Sequence, residues 1–147
     1  MNSYISTIDG EVLVQNIKKS DMIKIKDGYA PIKLIKRVVV LSTEETCPYL
    51  IPKNYYGNNV PNADTYITGD HMIYTNDNFI HSRHMHKQSK LHRGISLCYY
   101  HIMTSRHTDI IYANNLPIET FHIKRLECAE CTRKHVEKLN NLAYGLF

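Results

Sequence analysis

With 147 residues, 43% of them hydrophobic, the chain is long enough to bury one core and too short for several domains. Its net charge of +4 is scattered rather than gathered into a basic stripe, which argues against a dedicated nucleic-acid binder. No apolar run approaches the roughly 20 residues of a membrane span, and the opening MNSYISTIDG lacks the charged start and apolar core of a signal peptide. An intracellular protein without membrane attachment is the expectation.

In chain order the apolar residues predict short strands. Tyr4 to Ile8 runs into Asp9-Gly10, a turn dipeptide, and Glu11 to Val14 resumes the run. Met22 to Lys26 alternates, and Asp27-Gly28 turns again. Pro31 to Leu41 is a long strand candidate rich in β-branched residues. A looser stretch, Ser42 to Ala63, follows, punctuated by Pro, Asn and Gly. Strands are expected again at Tyr66–Thr68, Met72–Tyr74, Asn78–Ile80, Leu97–Met103, Asp109–Ala113 and Leu116–Ile123. The segment from His81 to Arg93, with four histidines among lysines and arginines, reads as a solvated excursion. From Thr132, the residues Val136, Leu139 and Leu142 recur at helical spacing and Gly145 is placed to stop a helix. Two Asp-Gly turns between alternating runs predict an all-β, hairpin-built antiparallel fold with a short C-terminal helix.

Candidate chemistry lies in histidines and cysteines. Thr-x-x-His occurs at Thr68–His71, Thr104–His107 and Thr132–His135; with ten threonines and nine histidines, chance alone supplies such a match. Cys128, Cys131 and His135 have C-x2-C-x3-H spacing, which suits three ligands of one Zn²⁺. A single C-x2-C pair is more often two free thiols beside a helix start. No other cofactor is indicated. The eleven tyrosines offer amphipathic contact area for protein partners. Oligomeric state is not legible.

Three blocks in order resemble a known family. Thr7-Ile8-Asp9-Gly10-Glu11-Val12 with Ser20-Asp21-Met22-Ile23 is similar to its opening "T-x-DG…GD-x-V". Pro48-Tyr49-Leu50-Ile51, Pro61 and Asp64 to His71 resemble its central block, which ends in "[ST]-x-x-H". Tyr99-Tyr100-His101 with His107, Ala113 and Leu116 to Thr120 resembles "Y-x-H-x-x-x-x-x-H-x-x-x-x-A-x-G-L-x-x-E-[ST]". The chain is thereby similar to the Hint (Hedgehog/intein) self-processing domain, in its stand-alone bacterial and viral form. The resemblance implies a Hint-like domain over residues 1–124 and a C-terminal extension over 125–147.

The resemblance also implies a chemistry. A Cys or Ser at the head of such a domain attacks the preceding peptide carbonyl, and the acyl group moves from nitrogen to sulfur or oxygen. The central Thr and His, here Thr68 and His71, hold the amide and protonate its nitrogen, and His107 is the carry-over of the later assisting histidine. The family places its nucleophile about five residues before the position of Ser3, ahead of Met1, and Ser3 itself aligns with a structural Thr or Ser. Glu119-Thr120 stands where inteins end in His-Asn. The resemblance therefore leads to the expectation of a Hint fold that has lost self-processing and serves as a structural or interaction module. Ile, Lys, Asn and Tyr make up about a third of the chain, as AT-rich coding produces, and a component of a large DNA virus particle is an expectation that fits this. The alternative is an autoproteolytic domain released from a longer precursor.

Overall fold

The structure, a computed structural model, describes residues 3–106 and 108–120. The first hairpin joins β1 (Tyr4–Thr7) to β2 (Gly10–Leu13). Gly10 has φ +112°, a conformation open to glycine alone among common residues. The Thr7 hydroxyl donates to Gly10 O at 2.7 Å and accepts from Asp9 N at 3.2 Å, which ties the loop. Gly28 (φ +136°) does the same service between β3 (Met22–Ile25) and β4 (Gly28–Pro31).

The expected single strand from Pro31 to Leu41 is divided. Pro31 closes β4, and β5 starts at Leu34 and runs to Leu41. Proline lacks an N–H and is confined to strand ends and edges, so it ends one strand instead of opening the next.

The loose stretch after β5 contains a strand that the punctuation hides, β6 (Tyr49–Ile51), which pairs with β7 (Thr65–Ile67). Next come β8 (Met72–Thr75) and β9 (Asn78–His81), joined at Asn76-Asp77 with φ of 49° and 58°. Two successive positive φ values give the tight turn whose twist matches a hairpin.

The His81–Arg93 segment is less of a solvated excursion than its composition suggests. It holds a one-turn helix α1 (Ser82–Met85), the short strand β10 (Lys87–Gln88) and a 3-10 turn at Lys90–His92, and it buries Ser82, His86 and Ser89. β11 (Ser96–Met103) then pairs with β5 along its full length, from Ser96 opposite Leu41 to Met103 opposite Leu34. The last hairpin, β12 (Ile110–Ala113) and β13 (Leu116–Glu119), turns on Asn114-Asn115 with φ of 48° and 65°.

These strands form three sheets: an eight-stranded one in the order β2-β1-β3-β12-β13-β8-β9 with β4 on β3, a three-stranded β10-β6-β7, and the two-stranded β5–β11 ribbon. Every pairing is antiparallel. The core between them is dominated by isoleucine, including Ile5, Ile23, Ile25, Ile51, Ile73, Ile111 and Ile118. β-Branched side chains fit the pleated surface, and this composition suits strands far better than helices. The all-β expectation holds. Among the described residues no helix is long and apolar enough to cross a membrane. The expected C-terminal helix and the 125–147 extension lie outside the described residues.

Candidate functional site

Between β7 and β8 the chain reverses through Thr68-Gly69-Asp70-His71, closed by a hydrogen bond from His71 N to Thr68 O at 3.1 Å. Gly69 sits close against the Tyr49 ring. A Cβ at this position would lie 2.7 Å from Cε2 of Tyr49, inside contact distance.

The turn is fixed from behind by three consecutive residues. Ser82 Oγ donates to Thr68 O at 2.7 Å, Arg83 N and Nε each donate to Gly69 O at 3.2 Å, His81 Nδ1 donates to Asp70 O at 2.9 Å, and Ser82 N donates to His71 O at 3.0 Å. Each of the four carbonyls thus has a partner from His81–Arg83. Because Asp70 O can only accept, the His81 proton sits on Nδ1. The Arg83 guanidinium also pairs with the Asp70 carboxylate, but both side chains are about half exposed, where an ion pair contributes little. Backbone satisfaction positions the turn from this side, and Thr68 and His71 line its other face.

That other face is a cleft of about 580 Å³, lined by Thr68, His71, Ser3, His101 and much of β11. Ser3 precedes β1 and its carbonyl accepts Val14 N at 2.8 Å. The start of β1 is held in place by Asn114. Tyr4 N donates to Asn114 Oδ1 at 2.8 Å, Asn114 N donates to Tyr4 O at 2.7 Å, and Asn114 Nδ2 donates to Thr65 Oγ1 at 3.0 Å. One buried asparagine therefore ties the head of the chain to the strand that leads into the Thr68 turn.

His101, on β11 opposite Lys36, was not singled out from the sequence as a site residue. Burial, and secondly the Lys36 charge, push its pKa down to about 4, so the imidazole on the cleft wall is neutral near pH 7. Its only sequence signal was its place as the first histidine of the Y-x-H block. The His81–Arg83 clamp left no sequence signal beyond a polar residue, Ser82, that turns out to be fully buried.

The end of β13 closes on the same region. Glu119 Oε1 accepts Met72 N at 3.0 Å, one residue beyond His71. Thr120 is buried, and its hydroxyl and N–H reach the Arg106–Asp109 loop, with Oγ1 3.4 Å and N 3.4 Å from Asp109 O.

Of the sequence-predicted residues, Thr68 and His71 come together on the cleft. His107 lies outside the described residues, as do Cys128, Cys131 and His135 with the zinc set they would form. Thr104, of the second Thr-x-x-His match, is buried and donates to Arg106 O at 3.1 Å, a local structural bond. Among the described residues no three His, Cys, Asp or Glu side chains converge as metal ligands.

An all-antiparallel fold with a Thr-x-x-His turn facing the head of the chain defines the class of the protein as intein-like. The Hint domain family model matches residues 1–125, and the chain belongs to this family. Two crystal structures of the MchDnaB-1 intein are similar in fold. A variant form has a TM-score of 0.58 at 12% identity over 81% of this chain and 96% of that one. The other has a TM-score of 0.56 at 13% identity over 79% and 95%. No curated protein sequence matches the chain.

Proposed function

We propose that this Hint domain keeps the amide-activating half of autoprocessing and lacks the release half. It would promote an N-to-S or N-to-O acyl shift at the peptide bond leading into β1, and it would not splice. The observation that carries this reading is the Thr68–His71 turn, with all four carbonyls anchored by His81–Arg83 and both side chains on one cleft with Ser3.

In the step itself, a Cys or Ser that a longer precursor would place upstream of Ser3 adds to the preceding carbonyl and gives up its thiol or hydroxyl proton to water. The Thr68 hydroxyl hydrogen-bonds the amide, and His71 delivers a proton to the departing nitrogen as the C–N bond breaks. A thioester or ester remains, joined to a free amine. Water or an added nucleophile then releases the upstream segment. Positioning of this kind is worth several powers of ten in rate, which is why a fixed turn matters more than a flexible one. Glu119-Thr120 supports the lack of splicing, since neither side chain is an amide that can cyclise onto its own backbone.

The test is a fusion that places a short peptide and a cysteine about five residues before Ser3, followed by intact mass with and without hydroxylamine. Scission at the junction is expected, and it should fall by roughly 100-fold in Thr68→Ala or His71→Ala. Retention of full scission in both variants contradicts the reading.

A second reading is a Hint fold without processing that acts as a structural or interaction module, for instance in a virus particle. The exposed tyrosines Tyr4, Tyr29 and Tyr55, at 42%, 47% and 52% exposure, favour a contact surface of that kind. An uncleaved fusion under every condition would favour it.

A further inference from the structure

We infer that the outer face of the eight-stranded sheet is a docking surface for the chain's own C-terminal segment, residues 121–147, whose apolar stripe lies across a row of aromatic side chains there. The inference goes beyond the acyl-shift reading and does not depend on it.

Strand register defines the row. Lys24 stands opposite Tyr29, Tyr112 opposite Pro117, and Tyr74 opposite Phe79. Ile25 pairs with Ile111 and Ile118 with Ile73, so one step along those ladders brings Lys24 beside Tyr112 and Pro117 beside Tyr74. Tyr29, Lys24, Tyr112, Pro117, Tyr74 and Phe79 thus form one line across β4, β3, β12, β13, β8 and β9. Successive side chains of a strand point to opposite faces. Ile25, Ile111, Ile118 and Ile73 point into the core, so the line points away from it. None of its six members belongs to the core cluster, and Tyr29, at its end, is 47% exposed.

This surface is apolar in bulk. Four of the six side chains are Tyr or Phe and a fifth is proline. The lysines lie over the rings, with Lys24 Nζ 5.2 Å from the Tyr112 ring centre and Lys26 Nζ 4.9 Å from that of Tyr74. Their stems extend the apolar area and their charges rim it. At about 4.8 Å between strands the row is roughly 24 Å long. Among the described residues the helices are single turns, too short to span it. A contiguous, partly exposed apolar surface of this kind marks an interaction site.

The exit of the chain selects the occupant. The described residues end at Thr120, three residues past Pro117 on a strand that carries the row. At about 3.3 Å per residue this exit lies roughly 10 Å from the row. Beyond it, Val136, Leu139, Leu142 and Ala143 recur at helical spacing. A helix from Thr132 to Tyr144 would run about 20 Å, close to the length of the row. One that short is marginal alone in water and needs an apolar face to lie on. Residues 121–131 reach about 36 Å when extended, so the tether holds the stripe over the face at a high effective concentration.

Docking there bears on the candidate site. Tyr74 and Phe79 sit on the β8–β9 hairpin, which starts one residue after His71 and ends at His81, the first residue of the clamp. A segment lying over this hairpin braces the turn and its clamp from outside.

The experiment uses the full chain with photoreactive p-benzoylphenylalanine in place of Tyr112, and separately of Tyr29, followed by irradiation and peptide mapping. Cross-links from both positions into residues 132–147 of the same chain are expected. Cross-links that join two chains would make the face an interface between copies and overturn the inference. Cross-links confined to residues 3–120, or none at all, overturn it as well. Hydrogen–deuterium exchange gives a second readout. In Leu139→Asp the amides of Met72–His81 should exchange about tenfold faster than in the parent, with those of β5 and β11 unchanged. Equal exchange of Met72–His81 in parent and variant contradicts the inference. Neither arm reads scission, so the acyl-shift reading stands or falls on its own test.

Discussion

At the scale of single residues, Asn114 carries the most structure. It is 1% exposed, adopts φ 48°, and makes side-chain and backbone bonds to Tyr4 and Thr65, with Asn62 N donating to its carbonyl. Asn114→Ala should cost about 2–4 kcal/mol, from the lost bonds and the left-handed backbone, measured by denaturant unfolding. Asn114→Asp is the sharper variant. Thr65 Oγ1 already donates to Ala63 O at 2.8 Å, so a carboxylate there would face a second acceptor. Its loss should match or exceed that of alanine.

His101 gives a pH prediction with a definite sign. Its folded pKa is depressed to about 4 from the ordinary histidine value of 6.5, so between those values the unfolded chain binds the extra proton. His86, lowered by burial, acts in the same direction. Stability should therefore fall as pH drops through that window. In His101→Gln the fall in Tm between pH 6.5 and 4 should be smaller than in the parent. An unchanged slope would remove His101 from the account. The same depression predicts that any limb near neutrality in a cleavage–pH profile belongs to another group.

At the scale of elements, the Thr68–His71 turn and its clamp act as a unit. Ser82→Ala removes the Oγ bond to Thr68 O from a fully buried site. It should cost about 1–3 kcal/mol in stability, because a buried acceptor loses a partner. It should also slow junction scission by roughly 10- to 100-fold, because a small shift of the positioned groups is costly. A clamp with a purely structural role would move the first number and not the second. The hairpins were legible because their chemistry is local: Asp9-Gly10 and Asp27-Gly28 mark their own turns. The clamp was not. Ser82 and His81 matter through carbonyls ten or more residues away, and polar composition alone made that segment read as solvated. The division at Pro31 and the strand Tyr49–Ile51 were obscured in the same manner, since pairing partners distant in sequence decided them.

At the scale of the whole molecule, the order of the family blocks carried more than any single spacing did. Three Thr-x-x-His matches were equal on composition, and the fold separates the first from the second. Thr68–His71 lies on a cleft with the head of the chain, Thr104 is spent on a local bond, and Thr132–His135 lies outside the described residues. The resemblance also pointed toward lost processing, on the strength of a missing nucleophile and of Glu119-Thr120. The folded chain weighs differently on the two ends. Glu119 is engaged by Met72 N and Thr120 is buried, while the Thr68–His71 turn is anchored at all four of its carbonyls.

The central claim is that the anchored turn still activates an amide. Intact mass of the cysteine fusion, with hydroxylamine, in the parent and in His71→Ala, tests it most directly. The account predicts loss of the upstream mass in the parent and its retention in the variant. An intact fusion in both, from folded protein, would contradict it.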